Sequence, residues 1–441
     1  MCGLPGEAGM RALRRAVGGV LVLSAVSAAS AAAYAGPEWQ TGGRMTIERS
    51  QHTATVLEDG RVLVASEGTS ELYYPATDNW GVSGSMIVRR TEHAAVRLQD
   101  GRVLVVGGQA DVAPWQTPTA EIFDPKAGTW SPTGSMATGR TTAEAVLLAD
   151  GRVLVVGGWQ GGSVSALWSA EIYDPQTGAF SPAGNMSAPR ESHAVALLPN
   201  GKVLVTGGQS AAGETPLSSA DLFDPASGTW SSAGDMSFPR AVHTMSVLPD
   251  GRVVVVGGMT MGGYLASAEF FDPKTGTFTK SGNMRLQRAY HTASVLPGGE
   301  VLIAGGASGT GTGGLSNFFA IAELFDPALG TFTDAGAMSV ERWGHTASVV
   351  SLGRVLVVGG AVSMFGMDAT TDIYTKPPPE EPFDPPAEPS GCACAAGGRS
   401  AAGGGWTALL LGALILRSGR TRAPTRRTRP RGRPSTPQCR A

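Results

Sequence analysis

The chain has 441 residues, 62 of them glycine and 29 proline, a composition suited to many short strands joined by tight turns and not to long helices. Its formal net charge of −2 hides a segregation: residues 36–390 hold 21 Lys and Arg against 35 Asp and Glu, whereas residues 417–441 hold nine Arg and no acid. An acidic body argues against nucleic acid as a partner, because phosphates call for clustered Lys and Arg.

The first element is an address. Met10, which serves equally as a start, precedes Arg11, Arg14 and Arg15 and then an uncharged run from Ala16 to Ala33. The run ends in Ala33-Tyr34-Ala35, a small-x-small cleavage pattern, so residues 1–35 are expected to be a secretory signal peptide cut between Ala35 and Gly36. The residues around Arg14-Arg15 do not extend it into a twin-arginine signal. No cysteine follows the run, so an N-terminal lipoprotein is not expected.

From there to residue 374 one motif repeats. Seven units open with Met, three residues, then Arg: Met45/Arg49, Met86/Arg90, Met136/Arg140, Met186/Arg190, Met236/Arg240, Met284/Arg288 and Met338/Arg342. Three residues after each Arg stands a histidine (His52, His93, His193, His243, His291, His345), except in unit 3, which has Ala143. Two Val/Leu runs follow, joined by a Gly turn that is most often Asp-Gly or Asn-Gly and ending in Gly-Gly, as in Leu148-Ala149-Asp150-Gly151-Arg152-Val153 through Gly157-Gly158. Such a pair reads as a hairpin on a two-residue turn with both turn residues at positive φ. A third strand of the pattern Glu171-Ile172-Tyr173-Asp174-Pro175 comes after a loop of variable length, and a Gly turn with an aromatic, as in Gly228-Thr229-Trp230, opens a fourth.

Four short antiparallel strands per ~50 residues make a propeller blade, and the recurring Gly-Gly, aromatic and Arg positions resemble the kelch repeat over residues 39–374. The resemblance implies an all-β, seven-bladed kelch-type β-propeller over 36–374. Unit 7 stops at Asp372-Ile373-Tyr374, before its aromatic fourth strand, and the missing piece sits at the other end of the body as Trp39 to Met45. The N-terminal strand is therefore expected to complete the last blade and hide its open edge. Unit 1 departs from the pattern, with Ser66-Glu67 for Gly-Gly and Tyr74 for the Asp before Pro75, which leaves six blades open.

The repeat also bears on chemistry. Six histidines at one repeat position are spread round a ring, whereas a metal ion needs its donors within about 2.0–2.6 Å of one centre. They are expected to be structural. So are the seven Arg and the seven acids Glu71, Glu121, Glu171, Asp221, Glu269, Glu323 and Asp372, as one ion pair per blade. Some secreted kelch propellers are copper-radical oxidases of the galactose oxidase type, whose chemistry uses a cysteine-crosslinked tyrosine. The four cysteines here are Cys2, Cys392, Cys394 and Cys439, so the body has none to supply it, and no disulfide or thiolate metal site either. No cofactor or catalytic residue is expected.

The loop between the second and third strands breaks the symmetry. It carries Trp115 in unit 2, Trp159 and Trp168 in unit 3, Tyr264 in unit 5, Phe318 and Phe319 in unit 6, and Phe365 in unit 7. Aromatics on loops of a rigid scaffold suit a binding surface, and they suit equally a lid packed over the blade edges. The reading is a monomeric, non-catalytic binding or adhesion module for a glycan or protein partner. The alternative is a secreted carbohydrate-active enzyme, which would need a convergent, unrepeated polar cluster at the channel mouth.

The last elements are a stalk and a second address. Residues 375–391 hold seven prolines and four acids, an extended segment spanning roughly 50 Å at ~3.1 Å per residue. Residues 392–441 run Cys392-Ala393-Cys394, an uncharged stretch from Ser400 to Leu416, then the arginines. This order resembles the MYXO-CTERM sorting signal of myxobacterial surface proteins, which implies processing near Cys392 and Cys394. A plain single-pass anchor is the other reading, and both leave the Arg tail inside and the body outside.

Overall fold

The computed structural model describes residues 39–376 apart from 162–165, 211–214, 310–314, 351–352 and 365. The signal peptide with Ala35 and Gly36, the stalk beyond Lys376, Cys392, Cys394 and the apolar stretch lie outside the described residues. No helix among the described residues is long and apolar enough to cross a membrane.

Seven four-stranded antiparallel sheets form the body. Blade 1 comprises Thr53–Val56, Val62–Ser66, Thr69–Tyr74 and Asn79–Val82, and blade 4 comprises Ala194–Leu197, Val203–Thr206, Ser219–Asp224 and Thr229–Asp235. The first strands touch one another in chain order, and blade 7 returns to blade 1, so they form a closed inner ring. The propeller has seven blades. The second strands, such as Val253–Val256, are buried along their whole length between neighbouring blades, which is why they are almost wholly apolar runs. The fourth strands face solvent and alternate polar residues with one half-buried aromatic.

That aromatic makes one pair per blade with the third strand: Phe223 with Trp230 at 5.0 Å and Phe123 with Trp130 at 5.1 Å. In blade 7 the pair joins the two ends of the body. Trp39–Thr41 runs antiparallel to Thr371–Tyr374, Trp39 stands 5.2 Å from Tyr374, and its indole Nε1 donates to the Ala335 carbonyl of blade 6 at 2.7 Å. The expected closure holds.

Irregular unit 1 is a full blade. Ser66 keeps the acceptor of the other repeats, since Arg49 Nη1 donates to its carbonyl at 3.1 Å, and Glu67 adopts φ 51°, a glycine-like conformation. The six-blade alternative is thereby excluded.

The hairpin turns differ from expectation. In blade 5, Leu248 N donates to the Arg252 carbonyl, Gly251 N donates to the Leu248 carbonyl at 2.9 Å, and Gly251 alone in the turn has positive φ, 88°. This is a three-residue loop: a type I turn over Pro249-Asp250 followed by a left-handed glycine. Asp250 caps it by accepting from Arg252 N, so Asp-Gly here marks a cap and a bulge in place of a two-residue turn.

Candidate functional site

The repeated polar residues are committed to the blades. Arg240, fully buried, donates from Nη2 to Glu269 at 2.6 Å and from Nη1 to the Gly257 carbonyl at 2.8 Å. Glu269 also accepts from Ser237 N, so the pair ties three segments of one blade together. The same bridge recurs as Arg49–Glu71, Arg90–Glu121, Arg140–Glu171, Arg190–Asp221, Arg288–Glu323 and Arg342–Asp372, at 2.6–3.1 Å. The main chain of the arginine stitches adjacent blades: Gly208 N donates to the Arg240 carbonyl at 2.9 Å. A Cβ on Gly207 would lie 2.3 Å from that carbonyl and 2.8 Å from the ring of His243, which is why the pair is glycine.

The histidines fill the same junctions. Nε2 of His52, His93, His291 and His345 meets the hydroxyl of Thr346, Thr53, Thr244 and Thr292 on the preceding blade at 2.9–3.0 Å. Burial, then the nearby arginine, pulls His52, His93, His193 and His291 down to about 3, and His243 and His345 well below 6.5. All six rings are neutral at physiological pH. Among the described residues no three His, Cys, Asp or Glu side chains come together as a metal site requires.

What varies lies at one end of the strands, where the loops after Gly-Gly pair with the residue following each Arg, as Thr141 with Trp159 and Glu191 with Gln209. The residue two after each Arg rims the channel with positive φ in every blade: Gln51, Glu92, Thr142, Ser192, Val242, Tyr290 and Gly344. Main-chain bonds run from blade to blade along this rim, such as Thr142 N to the Glu92 carbonyl and Val242 N to the Ser192 carbonyl. The rim is rigid and its side chains are free to differ.

The structure divides the loop aromatics. Trp115 is 46% exposed and Trp168 55%, on adjacent blades 2 and 3, with Val112 exposed beside Trp115. Trp159 and Tyr264 are half-buried. Phe318 stacks on Trp343, Phe319 lies over the Arg288 guanidinium at 5.2 Å, and both therefore pack within the loop face. Phe365 lies outside the described residues. Sequence reasoning passed over Tyr290 and Trp343, which meet edge-on at 5.3 Å, and over Glu144, whose signal was visible: it is the one acid in a repeat column otherwise Thr or Ala.

Comparison with known proteins follows this geometry. The KLHDC2/KLHL20/DRC7 Kelch-repeats domain model matches residues 71–258, and the Kelch motif model matches residues 246–285. Over residues 71–285 the repeats are kelch repeats. Among solved structures, the kelch propeller is similar to a fungal alcohol oxidase of the AA5 family solved in complex with copper. The TM-score is 0.63 at 20% identity, over 77% of each chain. At that identity the likeness is one of fold alone. No curated protein matches the sequence significantly.

Proposed function

We propose that this kelch propeller is a non-catalytic binding module that takes a protein partner on its loop face. The observation that carries the reading is the exposure of Trp115, on a loop of blade 2, and of Trp168, in the third strand Leu167–Asp174 of adjacent blade 3, on a scaffold whose repeated arginines and acids are already paired with one another. Tryptophan is enriched among the residues that anchor protein interfaces, and kelch propellers generally bind proteins. Replacing Trp115 and Trp168 together by Ala is expected to weaken capture of the partner by 100-fold or more, at about 2 kcal/mol or more per anchor. The melting temperature should stay within a degree or two, since exposed substitutions cost about 0.5 kcal/mol or less. Crosslinking to extracellular proteins of the producing cell, compared between wild type and the double variant, measures it. A partner held equally by both overturns the reading, and a glycan-array signal with the same tryptophan dependence moves it to a sugar.

The module is further proposed to act outside the cell, displayed on the envelope or released after processing. Support comes from the charge and cleavage pattern of residues 10–36 and from the order cysteine pair, apolar stretch and arginines in 392–441. Mass spectrometry of the surface protein is expected to show an N-terminus at Gly36 and a C-terminus near Cys392. A chain intact from Met1 contradicts export, and one intact through Ala441 contradicts processing.

A further inference from the structure

We propose that a notch over blade 1 takes an extended segment of the partner protein that carries a basic residue between bulky apolar ones; the proposal rests on the loop-face reading and locates the contact within that face. The other six blades place 10 to 16 residues between their second and third strands, from 157–166 in blade 3 to 305–320 in blade 6. Blade 1 has two, Glu67 and Gly68. Ser66 pairs with Thr69, and the two turn residues have φ 51° and 81°, the geometry of a tight hairpin turn. The chain therefore turns back at the level where its neighbours send out a loop. Packed sheets lie about 10 Å apart, so leaving out one loop opens a gap roughly one chain wide between the loops of blades 7 and 2, which flank blade 1.

Main-chain bonds identify the two sides. The returning limb of the blade 7 loop lies against the segment that enters blade 1, where Arg49 N donates to the Asp368 carbonyl at 3.1 Å and Met45 N to the Ala369 carbonyl at 3.0 Å. Opposite, the segment that enters blade 2 lies against the outgoing limb of the blade 2 loop, with Arg90 and Thr91 paired to Ala110 and Gln109. That segment also abuts the blade 1 turn, since Glu67 N donates to the Arg90 carbonyl at 2.8 Å. Each side leaves two large apolar side chains in water. Ile47 and Met367 on the blade 7 side are both 41% exposed, and Ile87 and Val112 on the blade 2 side are 60% and 65% exposed.

Charge selects the occupant. Along these segments the acids outside the core are Glu48, Glu67, Glu92 and Asp111, against the bases Arg44 and Arg89, so the acids exceed the bases by two. Both bases are taken, Arg44 by Glu48 at 3.6 Å and Arg89 by Asp111 at 3.5 Å. The buried Arg49 and Arg90 belong to Glu71 and Glu121. Gln51 donates to Glu92 at 2.7 Å on the channel rim. Glu67 stands exposed on the turn that floors the notch, and no described residue hydrogen-bonds or ion-pairs with its carboxylate. That carboxylate suits a Lys or Arg laid over the turn, and the apolar sides suit the residues flanking it. An acidic segment would meet like charge.

Panning a random peptide library displayed on phage against the full chain tests this. Recovered sequences are expected to hold Lys or Arg beside Leu, Ile, Met, Phe or Trp, and a synthetic copy of the most frequent one should bind in fluorescence anisotropy. Its affinity should fall about tenfold or more in Glu67→Lys, through like charge. It should fall as far in the double variant Ile87→Ser, Met367→Ser, which changes one residue on each side. Both variants should melt as wild type does, because the three side chains are exposed, and added salt should weaken binding. Met261→Ser, 54% exposed on the blade 5 loop, should bind as wild type does. No enrichment over phage without an insert, recovered sequences that are acidic, binding undiminished in Glu67→Lys or in the double variant, or an equal loss in Met261→Ser overturns the notch. So does dimerisation in sedimentation velocity that the double variant abolishes, since a second copy of the chain is then the occupant. Loss of the natural partner on changing Trp115 and Trp168, with no peptide recovered, removes the notch and leaves the loop-face reading standing.

Discussion

Acidifying the protein from pH 7 to about 5 is expected to unfold it cooperatively, while ordinary carboxylates are still largely ionised. The cause is the ring of six buried histidines. In the folded protein four of them bind a proton only near pH 3 and the other two only well below 6.5, whereas in the unfolded chain all six do so near 6.5. Their folded pKa is depressed, so below pH 6.5 the unfolded state binds more protons. The stability they contribute is whole above pH 6.5 and is lost as pH falls toward 3. Each group removes about 1.4 kcal/mol per pH unit in that window. Six in parallel remove up to roughly 8 kcal/mol per unit, against a total folding stability of about 5–15 kcal/mol. Near-ultraviolet circular dichroism against pH should place the midpoint between about 4.5 and 5.5, with an uptake of several protons. Changing His93 and His291 to Gln should move that midpoint to lower pH. A protein that stays folded at pH 4, or takes up less than one proton on unfolding, contradicts burial of neutral rings.

Removing the closing strand is expected to have an effect of similar size. Deletion of residues 36–46 takes away the fourth strand of blade 7, the Trp39–Tyr374 pair and the indole bond to Ala335, leaving the edge of Thr371–Tyr374 open. Truncating Trp39 to Ala alone should cost about 3–5 kcal/mol, since the side chain is 4% exposed and deletes into a packed junction. At about 2–4 °C per kcal/mol this lowers the melting temperature by roughly 6–20 °C. The full deletion should leave no cooperative transition, and a synthetic peptide of residues 36–46 should restore one. Trp130→Ala, the equivalent change inside blade 2, gives the scale for an ordinary blade. An unaltered melting curve after deletion would mean that blade 7 is complete without the N-terminal strand.

The fold was legible in the sequence because a repeat states the same local instruction seven times. The Val/Leu runs, the Gly-Gly pairs and the single Arg, acid and aromatic of each unit identify strands, blade junctions and ion pairs without reference to distant residues. The absent fourth strand of unit 7 and its copy at Trp39 likewise needed only alignment of the units to one another. Blade 1 was harder, since glycine is one way to reach positive φ, and Glu67 reaches it at 51° where the surrounding bonds hold it. The turns were misread because Asp-Gly serves both a two-residue hairpin and a glycine bulge, and the length of the flanking strands decides between them.

The surface followed another rule. Trp168 faces solvent while Phe318 stacks on Trp343 of the next unit, and nothing in the segment around Phe318 alone records that contact. Glu144 shows the division most clearly. Its column in the repeat marked it as different. Only the closed ring put it on the channel wall. Sequence by itself determined the strands, their order and the pairs within a blade, because those depend on periodicity and on residues of the same repeat. Tertiary structure alone decided which side chains meet water at the loop face and channel, because exposure is set by what the neighbouring blades cover.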